Sequence, residues 1–274
     1  EIGLPEQEVT CVAGGPPCQG FSMAGRGNPN DPRNFLFKEF LRVVRKIRPK
    51  SVIFENVPGF ANRYGTELRE HLNKSLKRMG YLTDIGVIQA RDFGVPQLRK
   101  RFFCLGIHRD HLKADKVDLP SPTWSEREIE NKLTTSKVIG DLDVFHLRCG
   151  YGTGVIDGPE NYLRPARTQF QRLMRSKSGT TKNGHTWNTR IPEHTEKVSR
   201  RMRKMQDGAK VDSFSGTDLE TSKISQRVLA RDTAPRITVV SLPDDYIHYN
   251  TVLPRTLSVR ECARLQTFPD DFRF

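Results

Sequence analysis

Within the first 109 residues, short apolar runs alternate with stretches of helical spacing, and that alternation restricts this part of the chain to an α/β sheet. Val9 to Ala13 reads as a buried strand. Phe37, Phe40, Leu41, Val44 and Ile47 recur at helical spacing within Phe35 to Ile47, and Pro49 ends that helix. Ser51 to Phe54 predicts a second strand, and Glu67 to Met79 a second helix ending at Gly80. Leu82 to Gln89 and Arg101 to Ile107 read as two more strands, separated by the Gly94-Val95-Pro96 turn. Strands separated by helices predict a mostly parallel sheet, with functional loops at the carboxyl ends of its strands.

Past residue 110 the rhythm is lost. Pro120, Pro122, Gly150, Gly152, Gly154, Gly158 and Pro159 punctuate short polar segments. Arg236 to Ser241 predicts a strand, and 193–206 a basic helix. Leu257 to Phe268 returns to helical spacing through Val259, Cys262, Ala263 and Leu265, with Ser258 as its cap. The expected organisation is therefore 1–114, an irregular mixed domain over 115–250, and a closing helical region over 251–274 that returns toward the first.

The formal net charge is +13, which points to a polyanionic partner. Basic residues concentrate in two zones. Residues 1–109 hold 18 Lys/Arg against 10 Asp/Glu, and residues 164–204 hold 12 against 2. Two such zones suit a nucleic acid held between two lobes. Cysteines 11, 18, 104, 149 and 262 show no paired metal-ligand spacing, so no metal is expected. Their odd number reads as reduced and intracellular. Cys11 and Cys104 sit in apolar runs and read as small core residues. No run approaches 18 apolar residues.

Three motifs carry chemistry. Gly14-Gly15-Pro16-Pro17-Cys18-Gln19-Gly20-Phe21-Ser22 holds a cysteine in a stiff loop directly after the first strand. Glu55-Asn56-Val57 follows the second. Gln97, Arg99 and Arg101 alternate at the start of the fourth, so on an extended segment the two arginines share a face. A nucleophile, an acid and paired arginines make a reaction centre.

These motifs resemble those of the cytosine-5 DNA methyltransferase family. The cysteine run is similar to its nucleophile loop, Glu55-Asn56-Val57 to its acid motif, and Gln97-Leu98-Arg99-Lys100-Arg101 to its Gln-x-Arg-x-Arg motif. Arg260-Glu261-Cys262-Ala263-Arg264-Leu265-Gln266-Thr267-Phe268-Pro269 resembles the helix that closes its target-recognition region. The resemblance implies a partial Rossmann-like methyltransferase sheet beside a mixed target-recognition domain. It also implies S-adenosylmethionine as methyl donor, duplex DNA as partner, and a flipped cytosine bonded through C6 to Cys18. Glu55, Arg99 and Arg101 would complete the catalytic set, with Arg101 the better candidate for the base. Pro16 would touch the donor. Pro17, Asn56, Gln97, Arg260 and Glu261 would be structural. Gln19, Ser22 and Arg33 of the long loop, with Arg190, Arg200, Arg201 and Arg203 of the second basic zone, would meet DNA.

Only ten residues precede Cys11, whereas the family's Phe-x-Gly-x-Gly donor motif lies well upstream of its cysteine loop. Its final Gly-Asn motif should follow Phe268. The expectation is that the missing donor-binding portion lies on a longer chain or a second subunit, in a bacterial modification system. Two other readings stay open: an RNA cytosine-5 methyltransferase acting on transfer RNA, and a non-catalytic DNA-binding subunit of a split enzyme. The roughly 135-residue irregular domain favours duplex DNA over the first. Intact Cys18 and Glu55 disfavour the second.

Overall fold

The computed structural model describes residues 8–17, 36–60, 66–142, 160–162, 164–176, 184–191, 194–206, 208–210, 214–221, 226–233, 246–249 and 255–274. The strand expected at 236–241 and Cys149 lie outside the described residues. Packing divides the chain into two compact units, residues 1–89 with 100–122 and residues 90–99 with 123–274.

The first unit contains β1 (Cys11–Gly14), α1 (Phe37–Ile47), β2 (Ser51–Asn56), α2 (Thr66–Arg78), β3 (Tyr81–Gln89) and β4 (Lys100–His108). Each predicted strand and helix of this region is present, within a few residues at each end. Among the described residues the strands form one sheet in the order β1-β2-β4-β3. Only β1 and β2 pair in parallel; β4 runs antiparallel to both β2 and β3. The mostly parallel sheet expected from sequence is therefore a mixed one. The ten-residue link between β3 and β4 returns the chain as a hairpin, because a parallel pairing needs a longer crossover.

The face α1 offers the sheet was legible from its spacing: Phe37, Phe40, Leu41 and Val44 are buried. They pack with Leu72 and Leu76 of α2 and with Val52, Phe54, Phe102 and Cys104 of the strands. Alternation along β2 and β4 buries every second side chain, so Glu55 and Arg101 fall on the opposite face from Phe54 and Phe102. Cys104 is in this core, but Cys11 is exposed. The same alternation explains that correction: Val12 packs against the core, and Cys11 points the other way from an edge strand.

The second unit contains α3 (Glu126–Lys132), α4 (Thr135–Ile139), β5 (Glu160–Asn161), α5 (Gln169–Met174), β6 (His185–Thr186), α6 (Glu196–Lys204), β7 (Arg227–Val228), β8 (Tyr246–Ile247) and α7 (Val259–Arg264). The predicted basic helix is α6, and Ser258 caps α7 by accepting from the Glu261 amide. Helices α3, α4 and α5 were not read from sequence. Two of them carried a legible signature, since Ser125-x-x-Glu128 and Thr168-x-x-Gln171 both form capping boxes.

These units do not coincide with the expected segments 1–114, 115–250 and 251–274. Leu257 and Leu265 pack in one cluster with Ile129, Leu133, Val138 and Ile139, which places the chain's last region with the second unit. The tip of the β3–β4 hairpin belongs there too. Its Asp92 carbonyl accepts from the amides of Thr123 and Trp124, at 3.0 and 3.1 Å.

Candidate active site

The site is built at the carboxyl end of β2. Glu55 and Asn56 are consecutive strand residues, so their side chains leave opposite faces of the sheet. Asn56 is buried. Its Nδ2 donates to the Pro16 carbonyl at 2.9 Å, and its Oδ1 accepts from the Val57 amide at 2.9 Å. One side chain thereby fastens the end of β2 to the loop that follows β1.

Glu55 sits opposite Phe103 in the ladder, and Arg101 is two residues from Phe103 on the same face of β4. That diagonal brings Arg101 Nε to 2.9 Å from Glu55 Oε1. The pair is half-solvated, with the glutamate side chain 37% and the arginine 24% exposed. A second guanidinium nitrogen of Arg101 donates to the Lys100 carbonyl at 2.8 Å. Pro16 is half-buried and Pro17 is exposed. Cys18, Gln19, Ser22 and Arg33 lie outside the described residues.

Arg101 is in β4, whereas Arg99 lies one residue before the strand's start and groups with the second unit, its carbonyl accepting from Ala90 at 2.8 Å. Gln97, of the same motif, is buried; its Nε2 reaches the Leu265 carbonyl at 3.5 Å, and its amide donates to Val95 at 2.7 Å.

In the second unit, the expected DNA-facing arginines separate by burial. Arg200 and Arg203 are exposed on α6, where they meet Asp218 at 3.0 Å and Glu196 at 3.3 Å. Arg201 is 3% exposed, and its guanidinium donates to the Leu219 carbonyl at 2.7 Å and to Gln226 Oε1 at 2.8 Å. The phosphate contact expected of Arg201 is thus replaced by an internal brace, because one step of about 100° along a helix turns a side chain from water to core. Arg190 is half-buried.

Arg260 and Glu261 are interior. Arg260 donates to the carbonyls of Trp187 at 2.9 Å, Pro269 at 3.0 Å and Phe272. Glu261 receives Arg255 in a two-pronged pair at 2.6 and 2.7 Å and the Ser258 amide at 2.8 Å. Burial alone would raise the Glu261 carboxyl; the Arg255 charge and hydrogen bonds, the nearby His248 and the Ser258 amide outweigh it and hold it below the usual range.

Sequence reasoning missed a larger buried cluster. Arg264 is fully buried and grips Asp270 with two bonds of 2.6 Å and Asp141 at 2.9 and 3.2 Å. Arg175 joins Asp141 from the other side and stacks 3.4 Å from the Tyr162 ring centre, while the Tyr162 hydroxyl donates to Asp270. Burial would lower Arg264, but the two carboxylates hold it above the ordinary arginine value. Composition gave no signal for it, since a buried arginine and a solvated one look alike in a charge count. Burial also pushes the Cys104 and Cys262 thiols up to about 12, so neither is a thiolate at neutral pH.

Among the described residues no cluster could hold a metal ion, and no helix is long and apolar enough to cross a membrane. The chain is 32% identical over 274 residues to the type II methyltransferase M1.HphI of Haemophilus parahaemolyticus, covering 99% of this chain and 62% of that protein. It is 31% identical over 271 residues to the type II methyltransferase M.MthTI of Methanothermobacter thermautotrophicus, covering 97% of this chain and 70% of that one. It thus spans roughly two thirds of such relatives' length. A solved structure of a candidate DNA modification methyltransferase encoded within an E. coli prophage shares the fold, with a TM-score of 0.65 at 23% identity over 96% of this chain and 70% of that one. The family pattern described as C-5 cytosine-specific DNA methylase matches residues 2–274, and the chain belongs to that family.

Proposed function

We propose that this chain carries the catalytic and DNA-reading parts of a type II DNA methyltransferase that methylates C5 of a cytosine swung out of duplex DNA. The observation that carries the reading is the Glu55–Arg101 pair, standing beside a loop root that Asn56 ties to β2. That loop runs on within two residues to Cys18.

Cytosine C5 is a poor nucleophile because its ring is aromatic and electron-poor. The Cys18 thiolate adds to C6 and forms an Sγ–C6 bond; the C5=C6 electrons move to C5, which becomes nucleophilic. Glu55 faces N3 and the exocyclic amine, where its hydrogen bonds drain charge from the ring as C6 is attacked. Arg101 fixes Glu55 through Oε1 and brings a positive charge to the site. S-adenosylmethionine, the donor that the family implies, supplies the methyl group that C5 takes. Solvent water then takes the C5 proton, the C5–H electron pair re-forms the C5=C6 bond, and the Sγ–C6 pair leaves on sulfur, which restores aromaticity and returns the Cys18 thiolate. A group that must both attack and leave favours sulfur over oxygen. Only about 3% of an ordinary thiol is ionised at pH 7, so nearby positive charge matters.

Of the residues expected to hold the donor, the described chain offers Pro16, half-buried and with its carbonyl engaged by Asn56. That is not a nucleoside pocket. DNA would meet the long loop through Gln19, Ser22 and Arg33, and α6 through Arg200 and Arg203. Arg99 and Arg190 are further candidates for phosphate. Extrusion of the base costs a few kcal/mol, which these contacts offset. The reducing interior of a cell suits the free thiols at Cys11, Cys104 and Cys262.

The test uses the full-length protein that contains this chain, S-adenosylmethionine, and DNA amplified with 5-fluorodeoxycytidine in place of deoxycytidine. Fluorine cannot leave as the C5 proton does, so a denaturation-resistant protein–DNA adduct should accumulate. Cys18→Ser should abolish that adduct while duplex binding is retained. An undiminished adduct in the serine variant would sink the assignment.

A further inference from the structure

The root of the cysteine loop contains two glycines, and neither lies in the left-handed backbone region. Conformation therefore does not demand glycine at either position, and the reason lies in what a side chain would meet. A methyl group at Gly14 would come within 2.7 Å of Phe40 Cδ2 in the core. A methyl group at Gly15 would stand 3.2 Å from Glu55 Oε2, tighter than ordinary carbon–oxygen contact.

The loop cannot retreat from that contact. On one side Gly14 pairs with Phe54 in the β1–β2 ladder. On the other the Pro16 carbonyl is held by buried Asn56. Glu55 is equally constrained, because its other oxygen, Oε1, is held at 2.9 Å by Arg101 Nε. The two carboxylate oxygens thus have different surroundings, one facing the arginine and one facing a bare stretch of main chain.

We propose that Gly15 is a positioning residue for the reaction: its missing side chain keeps Glu55 Oε2 in line and open to the substrate base, while Arg101 holds Oε1. The proposal rests on the reading of Glu55 as the group that meets cytosine N3. It assigns Oε2 as the oxygen that does so. Any side chain at residue 15 acts on the reaction through the Glu55 carboxylate, by displacing it or by covering Oε2, which has no hydrogen-bond partner among the described residues.

The rate of adduct formation on the fluorocytosine DNA tests this in the full-length protein, alongside duplex affinity and melting temperature. The contact requires Glu55 Oε2 to give by a few tenths of an ångström; since about 1 Å can cost on the order of 100-fold, Gly15→Ala should slow the adduct by up to about 10-fold. Duplex affinity and melting temperature should stay at the parent values. Glu55→Asp draws the carboxylate back by one methylene and clears the contact, so in that background Gly15→Ala should change the rate less than about twofold. Gly14→Ala serves as the contrast. It strikes Phe40, so it should lower the melting temperature, and Glu55→Asp should not relieve its effect. An unslowed Gly15→Ala, or equal slowing in both Glu55 backgrounds, would overturn the role of Gly15 while leaving Glu55 in place. If Glu55→Gln itself forms adduct at the parent rate, the reading of Glu55 falls and this proposal with it.

Discussion

Two arginine–carboxylate sites in this molecule have similar bond lengths and opposite surroundings. Glu55 and Arg101 meet through a single 2.9 Å contact, with about a third of the acid still in water. Arg264 meets Asp270 and Asp141 at 2.6 to 3.2 Å with no solvent contact, and Arg175 and Tyr162 complete the ring around them. A half-solvated pair contributes little to stability, and here one carboxylate oxygen has no hydrogen-bond partner among the described residues. A buried cluster with every oxygen engaged leaves nothing for a substrate, and losing one member strands charge in the interior. The Glu55–Arg101 pair leaves one carboxylate oxygen without a hydrogen-bond partner among the described residues, whereas the Arg264 cluster engages all of its own.

The sharpest way to break that contrast is Arg264→Met. It takes the arginine away from buried Asp270, leaving it the Tyr162 hydroxyl, and leaves Asp141 to Arg175 alone, and chemical denaturation should show a loss of about 3–5 kcal/mol. A loss under about 1 kcal/mol would mean the cluster is no more structural than a surface pair. Arg201→Met should come next. It removes two hydrogen bonds from a buried guanidinium, for a loss of about 1.5–3 kcal/mol. It should leave the slope of log DNA affinity against log salt unchanged, whereas Arg200→Ala and Arg203→Ala should each reduce that slope by about 1 if they touch phosphate. A salt slope that moves with Arg201 would reassign it to the DNA surface.

The pH response sharpens the comparison in a different way. The Glu261 carboxyl is depressed in the folded protein, so the unfolded chain binds its proton first as pH falls. Its contribution is complete above the unfolded value of about 4.3 and disappears as pH drops through the lower folded value. Glu261→Gln should therefore cost stability at pH 7 and flatten the acid limb of a stability-against-pH curve; an unchanged limb would show that another carboxylate governs it. The smallest stability effect belongs to Arg101→Ala, at about 0–1 kcal/mol. The same substitution should nonetheless collapse adduct formation on fluorocytosine DNA. If stability and adduct formation fell together, the Glu55–Arg101 pair would be structural after all.

Much of the first unit was legible because apolar runs of strand length and a helix with Phe37, Phe40, Leu41 and Val44 on one face leave few alternatives. Strand direction was not, since the sheet order depends on where β4 inserts, and no local pattern encodes that. In the site, Glu55 and Arg101 could be singled out from their motifs, yet their contact follows from a diagonal register that only the folded sheet defines. Arg200 and Arg201 are neighbours in sequence with opposite environments, which composition cannot separate. The capping boxes at Ser125 and Thr168 were readable and went unread, because polar, loop-like surroundings masked short helices.

The position of β4 has a consequence for how the chain is made. In the order β1-β2-β4-β3, the last of these four strands to be synthesised is the one that joins β3 to the rest. Until Lys100–His108 emerges, Tyr81–Gln89 has no partner and presents two open edges, the arrangement most prone to pairing with another chain. The ten-residue tip from Ala90 to Arg99 makes hairpin closure local and fast, whereas the β2–β4 pairing closes a loop of about 50 residues. Loop length alone therefore predicts that the hairpin closes before it docks, and that a translational pause between residues 89 and 100 would expose β3 unpaired.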